Sequence, residues 1–234
     1  MTTSTKSPTA LIVLCVVVAA MGIAFGYNEA AVVVYLRAIF HPAGFSFPLA
    51  PLGLTAESHR LLLTEVGREA ATIVLIFSGC LLAGQNRPQR LAYFMIIFAM
   101  WDIFYYVWLK ALLGWPASVM DWDVLFLIPV GWAGPVLAPV MVSAVMLVFA
   151  GLILYRDCLG KPIKTTVWDW LGFALAALVV IVSFCIADRY MSQADYAVHF
   201  SWPLFMAGLA GAVVLFVKCL CRKEPQQACG LNNQ

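Results

Sequence analysis

Three charged side chains lie close together in a segment where a membrane helix is expected to be apolar. Glu65, Arg68 and Glu69 occur with Thr72 within residues 64–72, and at 100° per residue the four side chains span about 100° of arc on one helix face. Ionisable groups at membrane depth cost roughly 2.5–3.5 kcal/mol each, so they normally face a protein interior and pair there. Such carboxylates could transfer protons or bind a ligand, and the planar guanidinium of Arg68 suits an anionic substrate group.

The composition identifies the class of protein that must position these groups. Hydrophobic residues make up 63% of the 234 residues and charged residues only 11%, against about 25% charged in soluble domains. Residues 7–28, 70–86, 124–155 and 170–187 contain no Asp, Glu, Lys or Arg, and about 20 such residues are enough to span a bilayer as helix. The net charge of +2 does not suggest a nucleic-acid partner. The expected partners are membrane lipids.

Six membrane spans are predicted, which makes the chain an all-α integral membrane protein with a polytopic helical bundle. The predicted spans cover residues 10–39, 61–84, 91–113, 134–155, 168–187 and 202–221. Residues 1–223 are predicted to form one transmembrane domain, and residues 224–234 a disordered cytoplasmic tail. The segment 122–134, which holds Pro129 and Gly131, is predicted to be a broken or re-entrant entry to the fourth span.

Lysine and arginine in the short loops predict the orientation in the membrane. The loops after the second, fourth and sixth spans are basic, while the opposite loops are mainly acidic. Both termini are therefore predicted to be cytoplasmic, in the cell or inner membrane. The basic loop residues are Arg87, Arg90, Arg156, Lys161, Lys164, Lys218, Arg222 and Lys223, with Lys6 before the first span.

The depths of the polar residues predict a shared pocket in the outer half of the membrane. Glu29 lies about 27 Å along the first span from Leu11, and Asp102 lies about 16 Å along the third span from Leu91, at 1.5 Å per residue. The first three spans thus bring their polar residues to one layer. The predicted pocket has Glu65, Arg68, Glu69 and Asp102 as catalytic candidates and Glu29, Tyr105, Tyr106, Lys110, Trp115, Asp121 and Asp123 as substrate contacts.

A simpler interpretation exists for several of these charges. Lys110, Arg37, Trp108 and Trp115 are typical of the membrane interface, where long basic side chains reach the headgroups and tryptophans form a belt. Glu65 and Arg68 could be an intrahelical pair near the start of the second helix. Asp102, in the middle of its span, favours a place in a polar network.

The three histidines could bind a metal. His41, His59 and His199 all fall on the predicted outer side, where with nearby acidic residues they could hold a divalent metal or a haem. The chain contains no HExxH or comparable helical pair of ligands. Ordinary interfacial histidines are the alternative.

Three functions are consistent with the sequence. The first is a membrane-embedded enzyme or metalloprotein acting at the outer leaflet, with the carboxylates as acid–base groups or ligands. The second is a transporter of a small solute or of protons. The third is a subunit of a larger membrane complex, in which the charges serve assembly with another membrane subunit.

Overall fold

A computed structural model describes residues 8–49, 55–128 and 130–222 and confirms the six predicted helices. All six are long and apolar enough to cross a membrane. The predicted tail 224–234, Lys6 and Lys223 lie outside the described residues. The helices are α1 (Pro8–Phe40), α2 (Ala56–Ala83), α3 (Arg87–Leu113), α4 (Leu137–Cys158), α5 (Val167–Asp188) and α6 (Trp202–Leu220).

Local sequence signals place the ends of the helices. α2 begins five residues earlier than predicted because Thr55 and Ser58 form a capping box, in which each side chain bonds the backbone of the other. Asn86 caps α3 through its side chain, which accepts from the Gln89 backbone N–H. α3 ends at Gly114, whose φ of 69° is readily adopted only by glycine.

Two short strands form in the segment that was predicted to be a broken or re-entrant entry to the fourth span. β1 (Trp122–Phe126) pairs antiparallel with β2 (Trp132–Pro135), and Asp123 lies opposite Gly134. The backbone N–H of Val136 then donates to the carbonyl of Asp121 at 2.9 Å, which ties the start of α4 to the base of the hairpin. The segment is therefore a strand pair and not a broken helix, because the pairing satisfies backbone groups that a broken helix leaves open.

Close helix packing organises the bundle. α1 lies along α3, and α3 also packs against α4, whereas α5 and α6 form a second pair that reaches β2 and α4. A Cβ atom on Gly22 would lie 2.6 Å from the carbonyl oxygen of Ile97, and one on Gly26 would lie 2.9 Å from that of Trp101. The Gly22–Gly26 spacing therefore lets the α1 backbone approach α3 directly.

The two ends of the bundle differ in structure. We call the end that carries residues 41–49, the β1–β2 hairpin and residues 189–201 the hairpin end, and the end that carries residues 84–86, 159–166 and 221–222 the basic end. At the basic end, the fully buried Asp169 accepts from Arg222 at 2.8 Å and from Lys218 at 3.3 Å. These pairs fasten the start of α5 to the end of α6.

Candidate functional site

A cavity of about 1450 Å³ extends through the interior of the protein. It is larger than the roughly 300–1,000 Å³ of most small-molecule sites. On α3 its lining residues run from Arg87 to Tyr106, a rise of about 28 Å, which is close to the thickness of the hydrocarbon layer of a bilayer. Residues of all six helices and of β1 contribute to its wall.

The wall of the cavity is divided by polarity along its length. The part nearer the basic end is built from aromatic and aliphatic side chains of α3, α4, α5 and α6, such as Phe94, Phe149, Phe173 and Phe216. Near the hairpin end the wall contains most of the polar residues of the cavity. The ionisable and hydroxyl residues there are Glu29, Arg37, His41, Glu65, Glu69, Asp102, Tyr105, Tyr106, Asp123 and Ser143.

Arg68 joins two helices by binding two carboxylates. Its Nε donates to Glu65 on the same helix at 2.9 and 3.0 Å, and Nη2 donates to Glu65 at 2.5 Å. The same guanidinium reaches across to Glu29 on α1, by Nη2 at 2.6 Å and by Nη1. Nη1 also donates to the Thr72 hydroxyl at 3.3 Å. The intrahelical Glu65–Arg68 pair is thus one half of a link between α1 and α2.

Arg68 is not available to hold an anionic substrate group. A guanidinium has five N–H donors, and the contacts with Glu29, Glu65 and Thr72 are enough to occupy all five. Glu29 and Glu65 line the cavity, whereas Arg68 lies behind them and does not. The geometry therefore gives Arg68 the task of positioning these two carboxylates.

Glu69 connects α2 to the hairpin. It is 4% exposed, and both carboxylate oxygens accept from the backbone N–H of Leu127, at 3.0 and 3.2 Å. No ion pair of Glu69 occurs within the described ranges. A carboxylate that faces a cavity without a cation beside it can accept a proton or a ligand donor.

Asp102 lies in the middle of α3 and is bonded to α4. The hydroxyl of Ser143, which is completely buried, donates to Asp102 Oδ2 at 2.7 Å. Both residues line the cavity. This contact pairs the one hydroxyl of the middle of α4 with the one carboxylate of α3 and gives Asp102 a polar partner on the neighbouring helix.

Arg37 is buried and paired within the protein, which differs from the prediction that its side chain reaches the membrane interface. It is only 9% exposed, and its Nη2 donates to Asp123 of β1 at 3.2 Å. Its guanidinium carbon lies 3.8 Å from the ring centre of Phe45 and 4.0 Å from that of Trp115, where the ring faces attract a cation. Arg37 and Trp115 therefore belong to a packed cluster, in which Arg37 is paired within the protein.

Asp123 completes this cluster. The Tyr105 hydroxyl donates to its second oxygen at 2.9 Å. Burial raises the pKa of Asp123 to about 6, against the lowering effect of Arg37 and of the hydrogen bond from Tyr105. At neutral pH the group is still ionised, so the Arg37–Asp123 contact is a charged pair.

Some of the predicted site residues lie elsewhere. Lys110 is exposed and donates to the carbonyls of Gly114 and Pro116. Asp121 accepts from the backbone of Ala117 and Ser118, which is a structural role in the loop. Lys110, Asp121 and Trp115 do not line the cavity, and Trp115 instead packs against the Arg37 guanidinium.

The histidines do not converge on a metal. His41 lines the cavity and packs edge-on against Phe45, His59 is exposed on α2, and His199 stacks on Tyr190. Within residues 8–49, 55–128 and 130–222 no three His, Cys, Asp or Glu side chains are arranged to hold a metal ion. The structure therefore does not support the predicted histidine site for a divalent metal.

Sequence reasoning missed several parts of the site. Ser143 is the only hydroxyl residue in the first 18 residues of α4, a signal that could have identified it. The Leu127 N–H and the aromatic wall carried by α4 to α6 gave no such signal, since apolar residues are expected throughout a membrane span. Comparison with known proteins adds nothing, because no protein-family model, no curated protein and no solved structure matches this chain.

Proposed function

We propose that this membrane protein is an enzyme that takes a lipid-like amphiphile into its cavity and carries out acid–base chemistry on the head group. In this proposal the apolar part of the cavity holds the hydrocarbon chain. Glu69 and Asp102 at the hairpin end exchange protons with the head group, and Tyr105 and Tyr106 shape the space around it.

The observation that supports this proposal is the uneven wall of the cavity. A cavity of about 1450 Å³ with a long apolar section and carboxylates at one end is complementary to a molecule that has a long apolar part and a polar end. A small polar solute would leave most of this wall without a partner. An alkyl chain would bury against it at about 25 cal/mol per Å² of apolar surface.

The acid–base assignment rests on how each carboxylate is held. Glu29 and Glu65 are neutralised by Arg68, and Asp123 by Arg37. Glu69 and Asp102 have only neutral donors, the Leu127 N–H and the Ser143 hydroxyl. Groups without a fixed counter-charge are the ones that gain and lose protons most readily in a low-dielectric site.

Occupancy of the cavity can be tested with two substitutions on α5. Ala177 lines the cavity, whereas Ala174 is exposed and does not. Native mass spectrometry of protein extracted gently from the membrane should show bound lipid in the wild type and in Ala174→Phe. Ala177→Phe should retain clearly less. Equal retention by both variants would place the bound lipid outside the cavity.

Catalysis is tested by incubating the protein in nanodiscs with a total lipid extract and comparing the products by mass spectrometry. The rate at which the wild-type protein forms a product of new mass should fall by about 100-fold or more in Glu69→Gln or Asp102→Asn. Glu57→Gln is the matched control, because Glu57 is exposed in the first turn of the same helix as Glu69. Unchanged turnover in both site variants would contradict the acid–base assignment.

Transport of the amphiphile is the second candidate function. The cavity wall includes Arg37 and Leu49 at the hairpin end and Arg87 and Thr166 at the basic end, so the lining extends to both ends of the bundle. Protein-dependent movement of a fluorescent alkyl probe between the leaflets of proteoliposomes, with no chemical change in the probe, would favour transport over catalysis.

A further inference from the structure

The two guanidiniums at the polar end of the cavity are each paired with carboxylates. The donors of Arg68 are satisfied by Glu29, Glu65 and Thr72, and Arg68 does not line the cavity. Arg37 is paired with Asp123 and enclosed between two aromatic rings. The charge of each guanidinium at this end is therefore offset by a carboxylate.

The remaining basic side chain at this end is neutral. Burial and the neighbouring Arg37 guanidinium lower the pKa of His41 below its ordinary value, which lies near 6.5. At pH 7.5 the imidazole therefore carries no charge. Lys110, the nearest exposed cation on α3, is bonded to loop carbonyls and lies outside the cavity wall.

Carboxylates, in contrast, outnumber the guanidiniums at this end of the cavity. Five carboxylates line this end of the cavity, and only two guanidiniums are paired with them. Two of the five, Glu69 and Asp102, have no cationic partner in the part of the chain that the structure describes. The other three carboxylates are Glu29, Glu65 and Asp123.

A second observation points to a ligand at the same place. Tyr106 lines the cavity and is only 6% exposed, yet its hydroxyl has no hydrogen-bond partner among the described residues. Tyr106 follows Asp102 by four residues, so the two side chains lie on the same face of α3. A buried hydroxyl without a partner is costly, and a polar head group beside Asp102 would satisfy it.

We propose that the cavity selects amphiphiles whose head group is an amine, held by Asp102 and the Tyr106 hydroxyl and attracted by the unpaired carboxylate of Glu69, and that it discriminates against anionic head groups. This inference rests on the proposed function, since it names the class of substrate for the same cavity. An ammonium group donates up to three hydrogen bonds, so it can donate to the Asp102 carboxylate and to the Tyr106 hydroxyl oxygen together. A phosphate or carboxylate head would meet an excess of like charge, because five carboxylates at this end outnumber the two guanidiniums.

The test compares two probes that share one chain. The probes are 9,10-dibromo-octadecylamine and 9,10-dibromo-octadecanoate, added at pH 7.5 to the protein in nanodiscs. Bromine on the middle of the chain quenches tryptophan fluorescence at short range, and Trp101 and Trp132 both line the cavity. The half-saturating concentration of the saturable quenching phase measures binding, and Ala177→Phe, which narrows the cavity, should weaken that phase and so identifies it.

We expect the amine to bind about tenfold or more tightly than the carboxylate. The double variant Glu69→Gln with Asp102→Asn should reduce this ratio to within about threefold of unity, because the neutral amides keep the shape but lose the charge. The control Glu57→Gln with Asp157→Asn removes two carboxylates outside the cavity wall and should keep the full preference.

The outcomes separate this inference from the proposed function. Saturable binding with equal affinity, or with preference for the carboxylate, would overturn the amine assignment and leave the lipid cavity intact. If Arg87→Ala then abolished the carboxylate preference, the head group would lie at the basic end. Absence of any saturable quenching by either probe would overturn the proposed function itself.

Discussion

The guanidinium of Arg68 links α1 to α2, because it binds Glu29 and Glu65 at the same time. Arg68→Ala would leave Glu29 and Glu65 facing each other without a counter-charge. Breaking a buried ion pair costs roughly 3–5 kcal/mol, so the melting temperature and the folded yield in detergent should fall sharply. Arg60→Ala, at an exposed position of the same helix, should have little effect.

A triple variant separates charge from packing in this cluster. If Arg68→Ala is damaging because it leaves two carboxylates unpaired, adding Glu29→Gln and Glu65→Gln should restore much of the lost stability. Equal, small effects of Arg68→Ala and Arg60→Ala would instead show that the cluster contributes little to the fold.

The Arg37–Asp123 pair predicts a pH dependence of stability. The pKa of Asp123 is raised to about 6 in the folded protein, from an ordinary value near 3.9. Between these values the folded state binds a proton that the unfolded state has released, so the stability due to Asp123 is complete below pH 4 and is lost as the pH rises through 6.

Comparison with Asp123→Asn isolates this effect. The melting temperature of the wild type minus that of the variant should decrease from pH 4.5 to pH 6.5 and then remain level. A difference that increases over this range would mean that pairing with Arg37 outweighs burial.

The residues of the site were predictable to different degrees. Intramembrane carboxylates are rare, so Glu29, Glu65, Glu69 and Asp102 could be found from residue type and depth. The role of Arg37 could not, because its partner is 86 residues away along the chain, and a basic residue near a helix end has the same sequence pattern whether it reaches the headgroups or folds inward.

At the level of elements, the α1–α3 contact sets how closely the polar residues of the first three helices approach. Gly22→Leu or Gly26→Leu would force a side chain against the α3 backbone, where a Cβ alone would already lie within 3 Å. Either change should lower the melting temperature strongly. Gly67→Ala is the matched control, since nothing lies within 4 Å of its added Cβ, and it should raise stability by up to about 1 kcal/mol.

The positions of the helices along the chain were easier to predict than the elements against which they pack. Long apolar runs predict six spans, but α2 and α3 begin five and four residues earlier than predicted, where Thr55 and Asn86 cap them. The β1–β2 hairpin was not predicted, because its two strands are only four and five residues long and Gly131, between them, also fits a broken helix. The cavity depends on distant packing of α5 and α6, which no local pattern describes.

At the scale of the whole molecule, the loop charges predict which end faces the cytoplasm. We expect the basic end to be cytoplasmic. In a background with the native cysteines replaced, an impermeant thiol reagent applied to intact cells should label Ser46→Cys and Ser118→Cys but not Gln85→Cys. Labelling of Gln85→Cys alone would show that the basic end faces outward, which is opposite to the predicted orientation.

The central claim is that an alkyl chain occupies the cavity between the helices. It is tested most directly by photocrosslinking a long-chain amine, with a diazirine in the middle of its chain, to the protein in nanodiscs and locating the labels by peptide mass spectrometry. The labels that unlabelled octadecylamine displaces should fall on cavity residues such as Phe94, Phe149 and Phe173. Displaceable labels confined to outward-facing residues such as Leu82 and Val74, which are 90% and 63% exposed, would contradict the account.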